Sequence, residues 1–503
     1  MKPNSTKHTL FFLMKLHFLP AFALTFLTVL SIPVSAEIED SVLRVNSTLQ
    51  GYSPSQPWEK TSPRKLRGLG ALLSGNRVLT TAQMVADQIY LEFESADSTQ
   101  SVPAKVIAVD YDANLALLAP IGESGFLSKM KPAEVSPPSK PGDSVDIVQL
   151  EDNGSSQTTS GSIRSLELLS TFVSGRYFLC YEVKASMQTE GNSFTLPAYR
   201  DGKLCGLLSS YSSKDQICDI LSSDIISAFL KDAEDGEYQG FPSMGVGFTT
   251  TEDPNFRKWL QIPADQGGLY INRVLPTSSA NAAGVKKGDV LLSIGGHPID
   301  RKGYFQHPDY GPLYWTHLVK GSRKVGENVE VEVLREGKIK KLDLLLKKSG
   351  ERLLASYLYG QAPPFLIKGG LVFQELSLPY LKAFGKDWAT RAPMNLLDIL
   401  SNPEDFEEGR RRVVVLTRVI PTQATIGYER MSNQVVESVN GQPVRGLPEL
   451  ENALAQTPEN GLHEIETDDI PYRIYLDQTL AESVDQQFKA SGLPSLSRIY
   501  SVE

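Results

Sequence analysis

The chain has 503 residues, too many for one hydrophobic core, so about three or four domains are expected. Apolar residues make up 41% and charged residues 22%, the balance of an ordinary globular protein. The formal net charge is -9 and no basic cluster occurs, which argues against nucleic acid and anionic membrane surfaces as partners. Only Cys180, Cys205 and Cys218 are present, and no Cys/His cluster has metal-site spacing, so no metal or other cofactor is expected.

In chain order, residues 1–36 carry Lys2, Lys7 and Lys15, then an apolar run from Leu16 to Val34. Val34-Ser35-Ala36 fits a small-x-small cleavage site, which predicts a signal peptide and an exported, periplasmic or secreted product. An uncleaved anchor is the alternative; Pro20 and Pro33 interrupt the run. No later segment is apolar enough to span a bilayer. Residues 37–66, with Pro54, Pro57 and Pro63, read as a turn-rich lead-in.

From Arg67 short strands follow one another. Gly68–Leu73 and Arg77–Ala82 flank the turn Ser74-Gly75-Asn76, and further runs lie at Ile89–Phe93, Ala104–Val109, Leu115–Leu118, Ser144–Gln149, Tyr177–Val183 and Leu204–Ser209. Residues 67–235 therefore predict an all-β barrel or sandwich, closed by a helix at Ser223–Lys231 and followed by an acidic linker, Asp232–Glu237.

Residues 241–347 hold Gly268–Pro276 and then Ala282-Ala283-Gly284-Val285-Lys286-Lys287-Gly288-Asp289-Val290–Gly296. A strand ending at Pro276, a short Ala-rich helix and a Gly-Asp turn into a buried strand are expected. The pattern returns 145 positions later: Val274-Leu275-Pro276-Thr277 matches Val419-Ile420-Pro421-Thr422, and Ser293–Ile299 matches Ser438–Val444. A second unit therefore spans 351–477, with an insert at Leu376–Arg412 that is helical at Met394–Leu400, and a polar tail covers 478–503. The aromatic cluster Tyr304–Trp315 reads as a loop and helix packed on the first unit, and Glu404–Arg412 as a solvated loop.

Gln188-Thr189-Glu190-Gly191-Asn192-Ser193, followed by the hairpin signal Tyr199–Leu207, resembles the nucleophile turn of trypsin-like proteases of the HtrA/Deg family. The two later units resemble its PDZ domains. Gly369-Gly370-Leu371-Val372-Phe373 and Ser377–Lys382 are similar to the plant-type Deg proteases. The resemblance implies a mainly β protein: a trypsin-like double β-barrel followed by two PDZ-like β-sandwich domains with short helices. It also places the catalytic positions. Leu79-Thr80-Thr81-Ala82-Gln83 has Gln83 where the family's histidine stands, and Asp110–Leu117 has Asn114 where its aspartate stands, with Asp112 on the same strand face. Ser193 keeps the nucleophile position, with Gly191 and Asn192 in the oxyanion loop, but Phe194-Thr195 replaces the family's Gly-Gly and puts that loop in doubt.

No histidine occurs between His17 and His297. A carboxamide cannot take the serine's proton, so a degenerate triad is expected. His297, His307 and His317 read as exposed loop histidines of the first PDZ unit. Two functions remain open. The first is an exported pseudoprotease that binds protein C-termini or unfolded exported segments through its PDZ domains, as scaffold, adaptor or chaperone. The second is an active serine endopeptidase using Ser193 with an unconventional base. Family likeness implies a homo-oligomer, a trimer or a multiple of one. The peptide site is expected at Met244, Gly245, Val246 and Gly247, ahead of and within the first unit's opening strand, where backbone amides would hold a terminal carboxylate; closure of that groove by the Tyr304–Trp315 insert is the alternative. Cys205 and Cys218, read as facing strands of one hairpin, are expected to form a disulfide, leaving Cys180 free.

Overall fold

The computed structural model describes residues 40–187, 195–321, 323–350, 352–407, 409–493 and 495–500. The signal-like segment 1–36 and the Gly191-Asn192-Ser193 turn lie outside these residues.

Twelve strands build two closed six-stranded barrels. The first consists of β1 (Val42–Leu49), β2 (Arg64–Leu73), β3 (Arg77–Thr80), β4 (Gln88–Glu94), β5 (Ser101–Asp110) and β6 (Leu115–Pro120), ordered β1-β2-β3-β6-β5-β4. The second consists of β7 (Ser144–Leu150), β8 (Ser156–Ser170), β9 (Tyr177–Lys184), β10 (Pro197–Arg200), β11 (Lys203–Ser212) and β12 (Ile217–Ser222), ordered β10-β11-β12-β9-β8-β7. The stretch read as a lead-in therefore contributes β1. Its apolar residues Val42, Leu43 and Val45 were masked by the polar run Asn46-Ser47-Thr48, yet β1 closes the barrel by pairing with both β2 and β4. Closure leaves no exposed edge. Helix α1 (Ser223–Asp232) buries Ile225, Ile226 and Phe229 against the second barrel.

The first PDZ unit contains β13 (Pro242–Ser243), β14 (Val246–Thr249), α2 (Pro254–Trp259), β15 (Leu269–Val274), α3 (Ser279–Ala282), β16 (Val290–Ile294), β17 (His297–Pro298), β18 (Tyr304–His307), β19 (Gly311–Tyr314), α4 (His317–Lys320), β20 (Asn328–Arg335), β21 (Lys338–Leu345) and β22 (Lys347–Lys348). Its main sheet runs β14-β15-β16-β20-β21, with β17 on β16, so β14 is an edge strand. The aromatic insert is a hairpin, β18 on β19, that buries Phe305, Leu313 and Trp315. One contiguous apolar cluster runs from the second barrel into this unit.

The second unit contains β23 (Phe365–Lys368), β24 (Leu371–Glu375), α5 (Leu378–Lys382), α6 (Trp388–Arg391), α7 (Met394–Ser401), β25 (Val414–Val419), β26 (Gln434–Val439), β27 (Gln442–Pro443), α8 (Leu447–Ala455), β28 (Leu462–Thr467), β29 (Arg473–Asp477), α9 (Gln478–Ala490) and β30 (Ser497–Arg498). The polar tail is thus a helix that packs Ala481 and Val484 on the core, followed by a strand.

The repeat makes β24 the counterpart of β14, because Leu371 faces Val419 as Val246 faces Val274. The two strands differ at their outer edges. The turn Gly369-Gly370 folds β23 onto β24, and β30 then adds to β23. Both glycines have positive φ, and a Cβ at Gly370 would lie 2.6 Å from the Ile420 carbonyl oxygen, so the hairpin depends on them. The expectation that both units capture chain ends is corrected: in the second unit the chain's own strand occupies that edge. Arg498 fixes β30 by donating to the Pro57 and Pro363 carbonyls at 3.0 and 3.1 Å and by stacking over Tyr52 and Phe365.

The Cys205–Cys218 pairing is also corrected. The two residues do lie on neighbouring strands β11 and β12, but Cys218 faces Tyr211, while Gly206, next to Cys205, faces Ser222 at the other end of the ladder. All three cysteines are free and buried, and burial pushes the thiols of Cys205 and Cys218 up to about 12. All three should therefore resist a maleimide in the folded protein and react in denaturant without prior reduction. Peptide mapping before and after unfolding reads this directly.

Candidate functional sites

Two of the expected catalytic positions, Gln83 and Asn114, meet. Gln83 sits in a 3-10 turn, Ala82–Met84, and its backbone N–H donates to the Asn114 Oδ1 at 3.2 Å. Asn114 is buried at φ +58, a conformation that asparagine tolerates, in the turn that follows β5. Asp110 anchors this turn by accepting from the Ala113 N–H and the Tyr238 hydroxyl, both at 2.7 Å; burial pushes its carboxyl above the usual range. Asp112 lies in the turn rather than on a strand, and it pairs with Arg176 of the second barrel at 3.2 Å. The Asn114 carbonyl is thus spent on the Gln83 backbone, and the buried Gln83 Nε2 has no hydrogen-bond partner among the described residues.

Thr195 is the first described residue after the nucleophile turn. It is fully buried, its hydroxyl lies 2.5 Å from that of Thr81, and its carbonyl accepts from the Leu69 N–H. The segment bearing the base position therefore touches the end of the segment bearing Ser193. Ser193, Gly191, Asn192 and Phe194 lie outside the described residues.

The peptide-site residues face a chamber of about 1070 Å³ walled by three parts of the chain. Leu168 and Tyr177 belong to the second barrel, Val246 and Val319 to the first PDZ unit, and Leu354 and Trp388 to the second. The predicted residues Met244, Gly245, Val246 and Gly247 all line it. Leu275 N–H donates to the Gly245 carbonyl at 2.9 Å, which makes Val246/Val274 a non-hydrogen-bonded pair and turns the Val246 N–H towards the open edge. The insert meets β14 beyond the loop, where Trp315 packs edge-on against Phe248 at 5.4 Å.

Met244 is buried in the core, and its carbonyl accepts from the Ala280 N–H at 3.0 Å. Gly245 owes its identity to the fold. Its φ is +71, and a Cβ there would lie 2.3 Å from the Ser278 Cβ. Gly245→Ala should therefore lower stability by about 2 kcal/mol in chemical denaturation, whether or not a ligand is present.

Three cations that no sequence pattern singled out stand in the chamber wall. Lys320 ends α4, Arg352 precedes the second unit, and Arg176 ends the loop before β9. Burial is the main cause that pulls the Lys320 ammonium down to about 8 and the Arg352 guanidinium to about 10, and Arg176 adds repulsion to both. The Glu404–Arg412 loop is not merely solvated. Glu407 and Glu404 pair with Arg273 of the first unit, the latter at 3.8 Å, while Arg410 pairs with Glu437 and Arg411 with Glu449.

The first unit docks on the second barrel through polar as well as apolar contacts. The Tyr310 hydroxyl donates to Asp224 at 2.9 Å, Lys140 pairs with Asp309 at 2.6 Å, and Phe178 meets Phe241 edge-on at 4.9 Å. His307 stacks on Tyr310 at 4.3 Å, and His317 is 4% exposed, so His317 is not the exposed loop residue expected. Burial holds His317 down to about 4, so it is neutral in the fold, whereas an unfolded histidine takes a proton near pH 6.5. Its contribution is complete above pH 6.5 and is lost as pH falls towards 4, by about 3 kcal/mol at most. His317→Gln should make the melting temperature less sensitive to pH between 6.5 and 4 than that of the wild type, as read by calorimetry.

The two closed barrels and the units behind them define a PDZ-bearing protein with a trypsin-like body. The PDZ domain family matches residues 242–346 and again 355–489. Over 424 residues the chain is 27% identical to Protease Do-like 2, chloroplastic, of Arabidopsis thaliana, covering 82% of this chain and 68% of that protein. It is 28% identical over 417 residues to Putative protease Do-like 3, mitochondrial, of the same plant, covering 81% and 72%. Among solved structures, the HtrA-type protease AlgW with decapeptide superposes with a TM-score of 0.47 at 16% identity, covering 63% of this chain and 98% of that one. The chain is thus similar to Do-like proteases of the HtrA/Deg kind over a double barrel followed by two PDZ domains. Among the described residues, no helix is long and apolar enough to cross a membrane.

Proposed function

We propose that this chain is an exported, non-proteolytic member of its family that binds the ends of other protein chains in the groove of its first PDZ domain. One observation carries the loss of proteolysis: the whole double barrel has no histidine, and its base position holds Gln83. Loss of a triad member costs roughly 10⁴- to 10⁶-fold in turnover. The Asn114 carbonyl is committed to a backbone amide, so no acid orients a base there either. His307 stacks on Tyr310 and His317 is buried, which weighs against either of them serving as a base for Ser193. Export rests on residues 1–36, and assembly into trimers or their multiples on family likeness alone.

Binding is supported by the open edge of β14, the outward Val246 amide and the chamber it faces. An extended peptide would add as a strand, with its end at the Met244–Val246 loop. The purified protein should release no peptides from unfolded casein above background. It should also take up no fluorophosphonate that Ser193→Ala abolishes; labelling lost in that variant would establish the endopeptidase. Calorimetry should show peptides with a free apolar C-terminus binding at about micromolar strength, and their amides more weakly.

A further inference from the structure

The proposed strand addition uses one wall of the chamber and leaves the cationic wall without a role. Among the described residues, Asp112 pairs with Arg176 at 3.2 Å, Glu404 and Glu407 pair with Arg273, and Asp110 accepts from Tyr238, while Glu167 of the lining forms no ion pair. Lys320 lies over the Phe178 ring at 4.8 Å, and neither it nor Arg352 forms an ion pair among the described residues. Two further polar atoms of the same lining, Thr316 Oγ1 and Arg273 Nε, are buried with no hydrogen-bond partner among the described residues. Lys320 is half-buried and Arg352 exposed, and cations that repel one another beside unsatisfied polar atoms are stabilised by a bound anion. Helix α4 packs on β13, which puts Lys320 at the loop end of the groove, and Arg352 follows closely after β22, the partner of β13.

We infer that Lys320 and Arg352, one from the first PDZ domain and one from the segment leading into the second, form a subsite for a carboxylate of the bound chain, separate from the backbone amides of the Met244–Val246 loop. This rests on the proposed groove. The carboxylate is either the chain terminus or an Asp or Glu side chain close to it, and the chemistry of recognition is the same. Arg176 adds to the positive field but is neutralised by Asp112, so it is not counted as a contact.

The test uses the full chain and Lys320→Met/Arg352→Gln, replacements that remove both charges and keep part of each apolar stem. Three peptides of one apolar sequence are compared: a free acid, its amide, and an amide with Glu at the penultimate position. The free acid should bind the double variant about tenfold or more weakly than the wild type, and the plain amide should bind both alike. Recovery of wild-type binding by the Glu-containing amide, lost in the variant, assigns the subsite to a side chain; no recovery assigns it to the terminus. Separately, N-acetylvaline should slow acylation of Lys320 by a succinimidyl ester, read by peptide mapping. Equal binding of all three peptides to both proteins overturns the subsite and keeps the groove. No peptide binding with retained N-acetylvaline protection overturns the groove and keeps the subsite. Loss of both overturns both.

Discussion

The seat of the first PDZ domain on the second barrel governs the rest of the molecule. Phe178 of β9 meets Phe241 edge-on on one side and the Lys320 ammonium on the other, and a single apolar cluster crosses the boundary. Beside it, Asp224 at the start of α1 accepts from Tyr310 across the boundary and from Tyr181 within its own barrel. A carboxylate in the first turn of a helix is favoured by the helix dipole, so this anchor is cheap to maintain. Because the seat is a core and not a polar linker contact, the chamber walls hold a defined spacing.

The two PDZ domains show how one fold serves two purposes. Both present the same strand, β14 or β24, at the same register to its neighbour. A pair of glycines after β23 lets the chain turn back at once and fill the edge of β24. In the first domain Pro242 and Ser243 instead pair with Lys347 and Lys348, and the edge of β14 stays open. A pairing strand from the same chain has no translational entropy to lose, so an external strand competes poorly there.

Much of this could be read from the sequence. Alternating apolar residues marked most of the barrel strands, and the 145-residue repeat marked both PDZ domains. Gln83 and Asn114, found by motif position, do come together. What escaped depends on long-range contacts. β1 is half polar over its length, although Leu43, Val45 and Leu49 alternate on one buried face, and it shows itself only through pairing with β2 and β4. The register of β11 on β12 is set by the short turn between Ser212 and Ile217, which puts Cys218 opposite Tyr211 and away from Cys205, and the sequence does not mark where that turn falls. Lys320 and Arg352 lie in unremarkable surroundings in the sequence and meet only when three domains close round one space.

The stapling of β30 has a mechanical consequence. Arg498 grips Pro57 and Tyr52 at the first barrel while its own strand completes the sheet of the last domain. Body, first PDZ domain, second PDZ domain and body are thereby joined head to tail in a closed circuit. In an open chain of domains each hinge moves on its own; in a circuit, a rotation at one seat must be matched at every other. The chamber is the hole of that ring, and its width is fixed by the fit of the whole perimeter.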